Sequence, residues 1–300
     1  MLGNLIAAEW LKIARRPLAW ALLAVFLGLL VLYLGLWFLV VGLHEGLFAG
    51  GARLQVLGEA QVAQLRRQLS LPGVFGAVLG QVNSTGGILA ILLAAGSLGS
   101  DFGWGTLRAM LTRAPARGRY LLAKLIALML ALLCGVAAGL ALGTLIALGC
   151  GAVLGLPQAL TGRDLLVLPL GVARSLFVIL PYVLITFAAT AFGRSALAGV
   201  GGGLAFLALD VGAGSLGALG AVSDLLLFVV NLLLLQPNIN TLVVANSQLY
   251  GLDQSVLASG LNLARLPSQP QAVLVIATYS ALSAFAAYRF LAGRDIQGAQ

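Results

Sequence analysis

The stretch Leu18–Leu43, "LAWALLAVFLGLLVLYLGLWFLVVGL", contains no charged residue and no proline. It exceeds the eighteen or so residues an α-helix needs to cross roughly 30 Å of hydrocarbon. It is also about twice the length of a signal-peptide core, so it reads as a retained span. The rest of the chain agrees, being 61% hydrophobic and 9% charged with a mean hydropathy of +1.05, a composition whose main solvent is lipid. The expected class is an all-α polytopic membrane protein. Its single domain, residues 1–300, has six transmembrane helices at about 18–43, 74–99, 121–154, 175–192, 196–219 and 272–291.

The segments between the spans carry amphipathic patterns. In residues 1–16, Leu2, Ile6, Trp10 and Ile13 share one helical face, with Asn4, Lys12 and Arg15 on the other. That pattern predicts an N-terminal amphipathic interfacial helix, with Glu9, Trp10, Lys12, Arg15 and Arg16 near the headgroups; the alternative is a disordered leader that only orients span one. In residues 44–72, Leu54, Leu57, Val62, Leu65 and Leu69 oppose Arg53, Glu59, Arg66 and Arg67, which predicts a second surface helix. The region 224–270 reads as a partly helical outer segment. Its apolar run Leu225–Leu235 is too short to span and suits a re-entrant or buried helix ended by "QPNIN", Gln236–Asn240.

The net charge of +8 reads as topology rather than nucleic-acid binding, because the cations flank apolar spans and line no aromatic-bearing groove. Eleven of the seventeen cations fall on the termini and the 100–124 and 193–195 loops. By the positive-inside rule this places both termini in the cytoplasm of a multi-pass cell-membrane protein. Arg113, Arg117, Arg119 and Lys124 then anchor the start of span three against anionic membrane lipids.

Covalent chemistry finds few parts. Cys134 and Cys150 lie about 24 Å apart along one helix, too far for a disulfide, and the lone His44 with no Cys/His cluster argues against a metal site. No Gly-x4-Gly-Lys-Ser/Thr loop is present, so any ATPase must be another chain. A serine protease lacks an intramembrane histidine base, and a carboxylate dyad lacks a second aspartate beside Asp210. No enzyme activity is expected.

Polar residues inside spans need partners. Arg174 and Asp210 fall within about 6 Å of the same depth in straight helices, so either they pair across spans four and five or Arg174 snorkels to the interface. Gln81, Asn83, Ser84 and Thr85 in span two either line a translocation path or hydrogen-bond a neighbouring helix. The glycines of span five either pack closely or allow the helix to shift.

Three segments carry a family resemblance: "EWLKIARRP" (Glu9–Pro17), "GTLRAMLTRAPARGRYLLAKL" (Gly105–Leu125) and "YRFLAGRDI" (Tyr288–Ile296). With the six-span plan, the chain resembles the permease subunits of ABC-2 type (type V) ABC exporters. The 44–73 insertion and the glycine-rich "AGVGGGLAF" (Ala198–Phe206) depart from that pattern. The resemblance implies a permease homodimer or related heterodimer bound to two cytoplasmic ABC ATPase subunits, which carry the ATP and magnesium while this chain binds no cofactor. It further implies a prokaryotic plasma membrane and a cytoplasmic coupling helix between spans two and three, Asp101–Thr112. Trp104, Thr106, Leu107 and Arg108 are then the docking contacts, and Asp101 suits the helix cap. The alternatives are a polytopic membrane enzyme and a non-transporting regulatory membrane anchor.

Overall fold

A computed structural model describes residues 2–48, 57–103, 117–214, 223–257 and 263–292, and among these the regular structure is entirely helical. In chain order the helices are α1 (Leu2–Ala14), α2 (Pro17–Glu45), α3 (Glu59–Gln68), α4 (Gly73–Asn83), α5 (Thr85–Gly103), α6 (Arg117–Leu154), α7 (Gly162–Gly193), α8 (Ala196–Gly214), α9 (Asp224–Leu233), α10 (Leu235–Leu249), α11 (Gln254–Leu257) and α12 (Gln269–Ala292). Six of them, α2, α5, α6, α7, α8 and α12, are long and apolar enough to cross a membrane, while α9 and α10 form a pair bent by 85°.

Local chemistry sets the boundaries. Pro17 opens α2, where its missing N–H costs nothing, and Gly46 closes it in the left-handed region at φ 78°. Thr161 donates its N–H and hydroxyl to the Asp164 carboxylate at 2.8 and 2.6 Å and so starts α7. Between α7 and α8, Arg194 takes φ 52° and the Ser195 hydroxyl accepts the Ala198 N–H at 3.1 Å, making the expected tight turn.

Four expectations need correction. Span two is broken: Ser84, at φ −87° and ψ −89°, separates the buried α4 from the spanning α5. Span four begins at Gly162 rather than Ser175, because the Thr161–Asp164 cap lets the helix start before the apolar run and continue through Pro169 and Pro181. Gln236–Asn240 opens α10 instead of ending a helix; Pro237 falls in its first turn, where no intrahelical donor is needed. In the interfacial helix Glu9 does not face the headgroups, since α1 packs on α6 with Glu9 buried beside Ile13, while Asn4 and Arg15 stay exposed as expected.

Packing gathers the ends of the bundle. At one end, called the root end here, lie α1, the end of α5, the start of α6 and the end of α12, where Arg117 donates to the carbonyls of Leu291 and Ala292. At the far end α3 buries Val62 and Leu65 as its periodicity predicts, while Arg67 donates to the Gly251 carbonyl at 3.3 Å. Leu54 and Arg53 lie outside the described residues. Large exposed apolar side chains such as Leu32, Leu36 and Leu166 face outward, as a lipid solvent permits.

Between α5 and α8 the backbones approach closely. A Cβ added to Gly99 would sit 2.4 Å from the Ala196 Cα, and one added to Gly203 would sit 2.3 Å from Thr186 Oγ1 and 2.7 Å from Ile91 Cγ2. Gly99 and Gly203 are therefore packing positions. Gly201 faces open space among the described residues. Gly99→Ala is expected to lower stability by about 1–3 kcal/mol through overpacking. Gly201→Ala is expected to be neutral or mildly stabilising, and thermal denaturation of the two purified variants side by side checks both.

Candidate functional site: a buried charge cluster at the root of the 104–116 segment

Five charged side chains, four from three helices and Arg16 from the link between α1 and α2, meet at the root end. Lys124 of α6, fully buried, stands 2.7 Å from Glu9 Oε2 of α1 and 2.7 Å from Asp101 Oδ2 of α5, and donates to the Ser97 carbonyl at 3.0 Å. An ammonium has three N–H donors, and these three acceptors use all of them. Lys12 reaches Glu9 Oε1 at 2.5 Å and lies 4.0 Å from Asp101 Oδ1. Arg16 lies 3.8 Å from Asp101 Oδ1 and donates to Ser100 Oγ at 2.6 Å. The Tyr120 hydroxyl donates to Asp101 Oδ2, and Lys124 Nζ sits 5.4 Å from the Tyr120 ring centroid.

Burying such charges is tolerable only when each is paired and hydrogen-bonded, and here each carboxylate faces at least two cations. The geometry follows from helical spacing. Glu9 and Lys12 recur at i and i+3 on α1, Arg16 joins them from the extended link before α2, and Tyr120 and Lys124 recur at i and i+4 on α6. With α1 packed against α6, the buried Glu9 shares the inward side with Ile13, while Lys12 and Arg16 stay partly exposed.

Asp101 is thus no exposed cap of a docking helix. It sits in the last turn of α5, 1% exposed, as a member of the cluster. Trp104, Thr106, Leu107 and Arg108, with Arg113, lie outside the described residues. Lys124 is likewise buried within the protein rather than turned to lipid. Arg15 stays exposed and Trp10 is half-buried.

Asp210 and Arg174 do not pair. The Asp210 carboxylate accepts the Tyr182 hydroxyl at 2.6 Å and the N–H groups of Leu235 and Gln236 at 3.2 and 3.1 Å, the first two donors of α10. A carboxylate there satisfies orphan helix donors and opposes the positive end of the helix dipole. Straight-helix depth arithmetic missed this because a bent pair from a later segment supplies the partner. Arg174 donates instead to Gln269 Oε1 at 3.3 Å.

The elbow that Asp210 holds is deep. The Tyr279 hydroxyl, ten residues or about 15 Å into α12, donates to the Leu233 carbonyl at 2.5 Å, near the middle of a roughly 30 Å hydrocarbon layer. Asn238 donates to the carbonyls of Asn231 and Leu234 at 2.8 and 2.7 Å and so braces the bend. The short apolar run therefore forms one arm of a sharply bent pair, with an exposed α9 and a buried α10.

The polar quartet closes on itself at the α4–α5 break. Ser84 Oγ donates to Gln81 Oε1 at 3.0 Å and Thr85 Oγ1 of α5 to the Gln81 carbonyl of α4 at 3.1 Å, so these bonds tie the two helices together across the break. Both side-chain polar atoms of Asn83 are buried without a partner among the described residues. Among those residues, no group of three or more His, Cys, Asp and Glu is arranged to hold a metal ion. Neither the protein-family models nor the curated proteins searched include a match to this chain.

Proposed function

We propose that this polytopic membrane protein is the permease subunit of an ABC-2 type exporter, powered by ATP hydrolysed on a separate cytoplasmic subunit. The observation that supports this most is the Glu9–Lys124–Asp101 cluster. It ties both roots of the 104–116 segment, the end of α5 and the start of α6, to the N-terminal helix. A segment that receives a push from a motor needs rigid roots, or the displacement dissipates in side-chain motion.

In this reading the root end faces the cytoplasm, consistent with its excess of cations. Closure of two ATPase subunits moves the docking segment, and α1, α5 and α6 move with it as one body. The close α5–α8 contact at Gly99 and Gly203 passes the displacement to α8, and Asp210 passes it from α8 to the elbow of α10. The chain contributes position and leverage, and the partner supplies the phosphoryl chemistry.

The experiment is co-expression with a candidate ABC ATPase subunit, followed by affinity purification through the permease. Wild type is expected to retain the ATPase, and Trp104→Ala with Arg108→Glu to reduce its recovery by about tenfold or more, since aromatic and arginine anchors dominate such contacts. ATPase recovery unchanged by the double substitution overturns the docking assignment.

A further inference from the structure

We infer that the cleft between α7 and α12 is a binding site for an anionic membrane lipid, headgroup on Arg174 and acyl chain along the groove. The cleft, of about 1420 Å³ and open on one side, is larger than the ~300–1,000 Å³ typical of pockets for drug-sized ligands. Its walls are Ala173 and Phe177 of α7 and Pro270, Leu274 and Ala277 of α12, with Leu242 of α10 at its floor. The groove runs along α12 from Gln269 to Ala281, about 18 Å, close to one leaflet of a roughly 30 Å hydrocarbon core.

Its polar groups collect at one end. Arg174 and Gln269 meet there, and Gln269 is the first residue of α12, at the end of the bundle opposite the charge cluster. Among the described residues Arg174 has no carboxylate partner, and its contact with Gln269 occupies one of five guanidinium donors. A cation short of an anion at the mouth of an apolar, leaflet-deep groove complements an amphiphile with a phosphate or carboxylate head. The inference needs only that the protein is membrane-embedded and holds whether or not an ATPase docks.

Native mass spectrometry of the purified protein, exchanged into detergent with phosphatidylglycerol or phosphatidylcholine, tests the site. One phosphatidylglycerol per chain is expected to be retained in preference to phosphatidylcholine. Arg174→Gln is expected to weaken that retention about tenfold or more, as loss of a charge-assisted contact implies. Ala277→Phe, at an exposed position on the groove wall, is expected to expel the chain regardless of headgroup and to leave the melting temperature unchanged. Equal retention of the two lipids, or retention unchanged in Arg174→Gln, means annular lipid only and overturns the proposal. A shift in oligomeric mass in Ala277→Phe with the lipid count intact also overturns it, because the groove then seats a second copy of the chain.

Discussion

Lys124→Met is expected to destabilise the protein by about 3–5 kcal/mol, the largest loss from any single substitution at the root end. The methionine fills most of the lysine volume, so the loss is electrostatic. It strips Glu9 and Asp101, 2% and 1% exposed, of the ammonium they share, leaving two buried carboxylates beside Lys12 and Arg16 among the described residues. Glu9→Gln is expected to cost less, because Lys124 keeps Asp101 and the half-exposed Lys12 can turn to solvent. The triple variant Lys124→Met, Glu9→Gln, Asp101→Asn is expected to recover part of the loss. A neutral cluster has no charge to strand, and replacing a buried ion pair whole is often close to neutral. The measurement is the fraction of monodisperse protein remaining after a temperature series, run on all three variants. A Lys124→Met midpoint indistinguishable from wild type would show that the cluster is a solvated crossing of side chains and not a clamp.

The second large effect is expected at Asp210→Ala, a loss of about 2–4 kcal/mol concentrated at the elbow. Three donors lose their acceptor at once: the Tyr182 hydroxyl and the first two N–H groups of α10. Each buried donor left unsatisfied costs about 1–3 kcal/mol, and the helix start also loses the anion that opposes its dipole. Asp210→Asn is expected to be milder, since its carbonyl oxygen still accepts the helix N–H groups while its amide faces the Tyr182 oxygen. Hydrogen exchange distinguishes local from global damage. Amides of Leu235, Gln236 and Asn238 are expected to exchange faster in Asp210→Ala while those of the buried α4 hold their protection. Uniformly faster exchange across the bundle, or none, contradicts the capping role.

Much of the fold was legible because hydrocarbon imposes a one-dimensional rule: a long apolar run must be helical to satisfy its own backbone. The spans at α2, α6 and α12 sit within a few residues of the expected limits. The errors cluster where a local cap or break decides. Thr161 and Asp164 start α7 before its apolar run, and Ser84 interrupts the run around Gln81, Asn83 and Thr85. The short apolar run after α8 was recognisable as too short to span alone, and it forms one arm of a bent pair, yet the sense of "QPNIN" was inverted. A proline in a first helical turn and one just past a last turn look alike until the direction of the chain is known.

The sequence by itself determined that this chain is a polytopic helical membrane protein with six runs long and apolar enough to span, because hydropathy is additive along the chain. Only the tertiary structure decided which charges meet. Glu9, Asp101 and Lys124 are separated by 92 and 23 residues, and nothing local relates them. Arg174 and Asp210 were matched in depth, yet each took a partner from the segments after α8. Depth is one coordinate, whereas an ion pair or a helix cap requires all three, and the other two are set by which helices pack side by side.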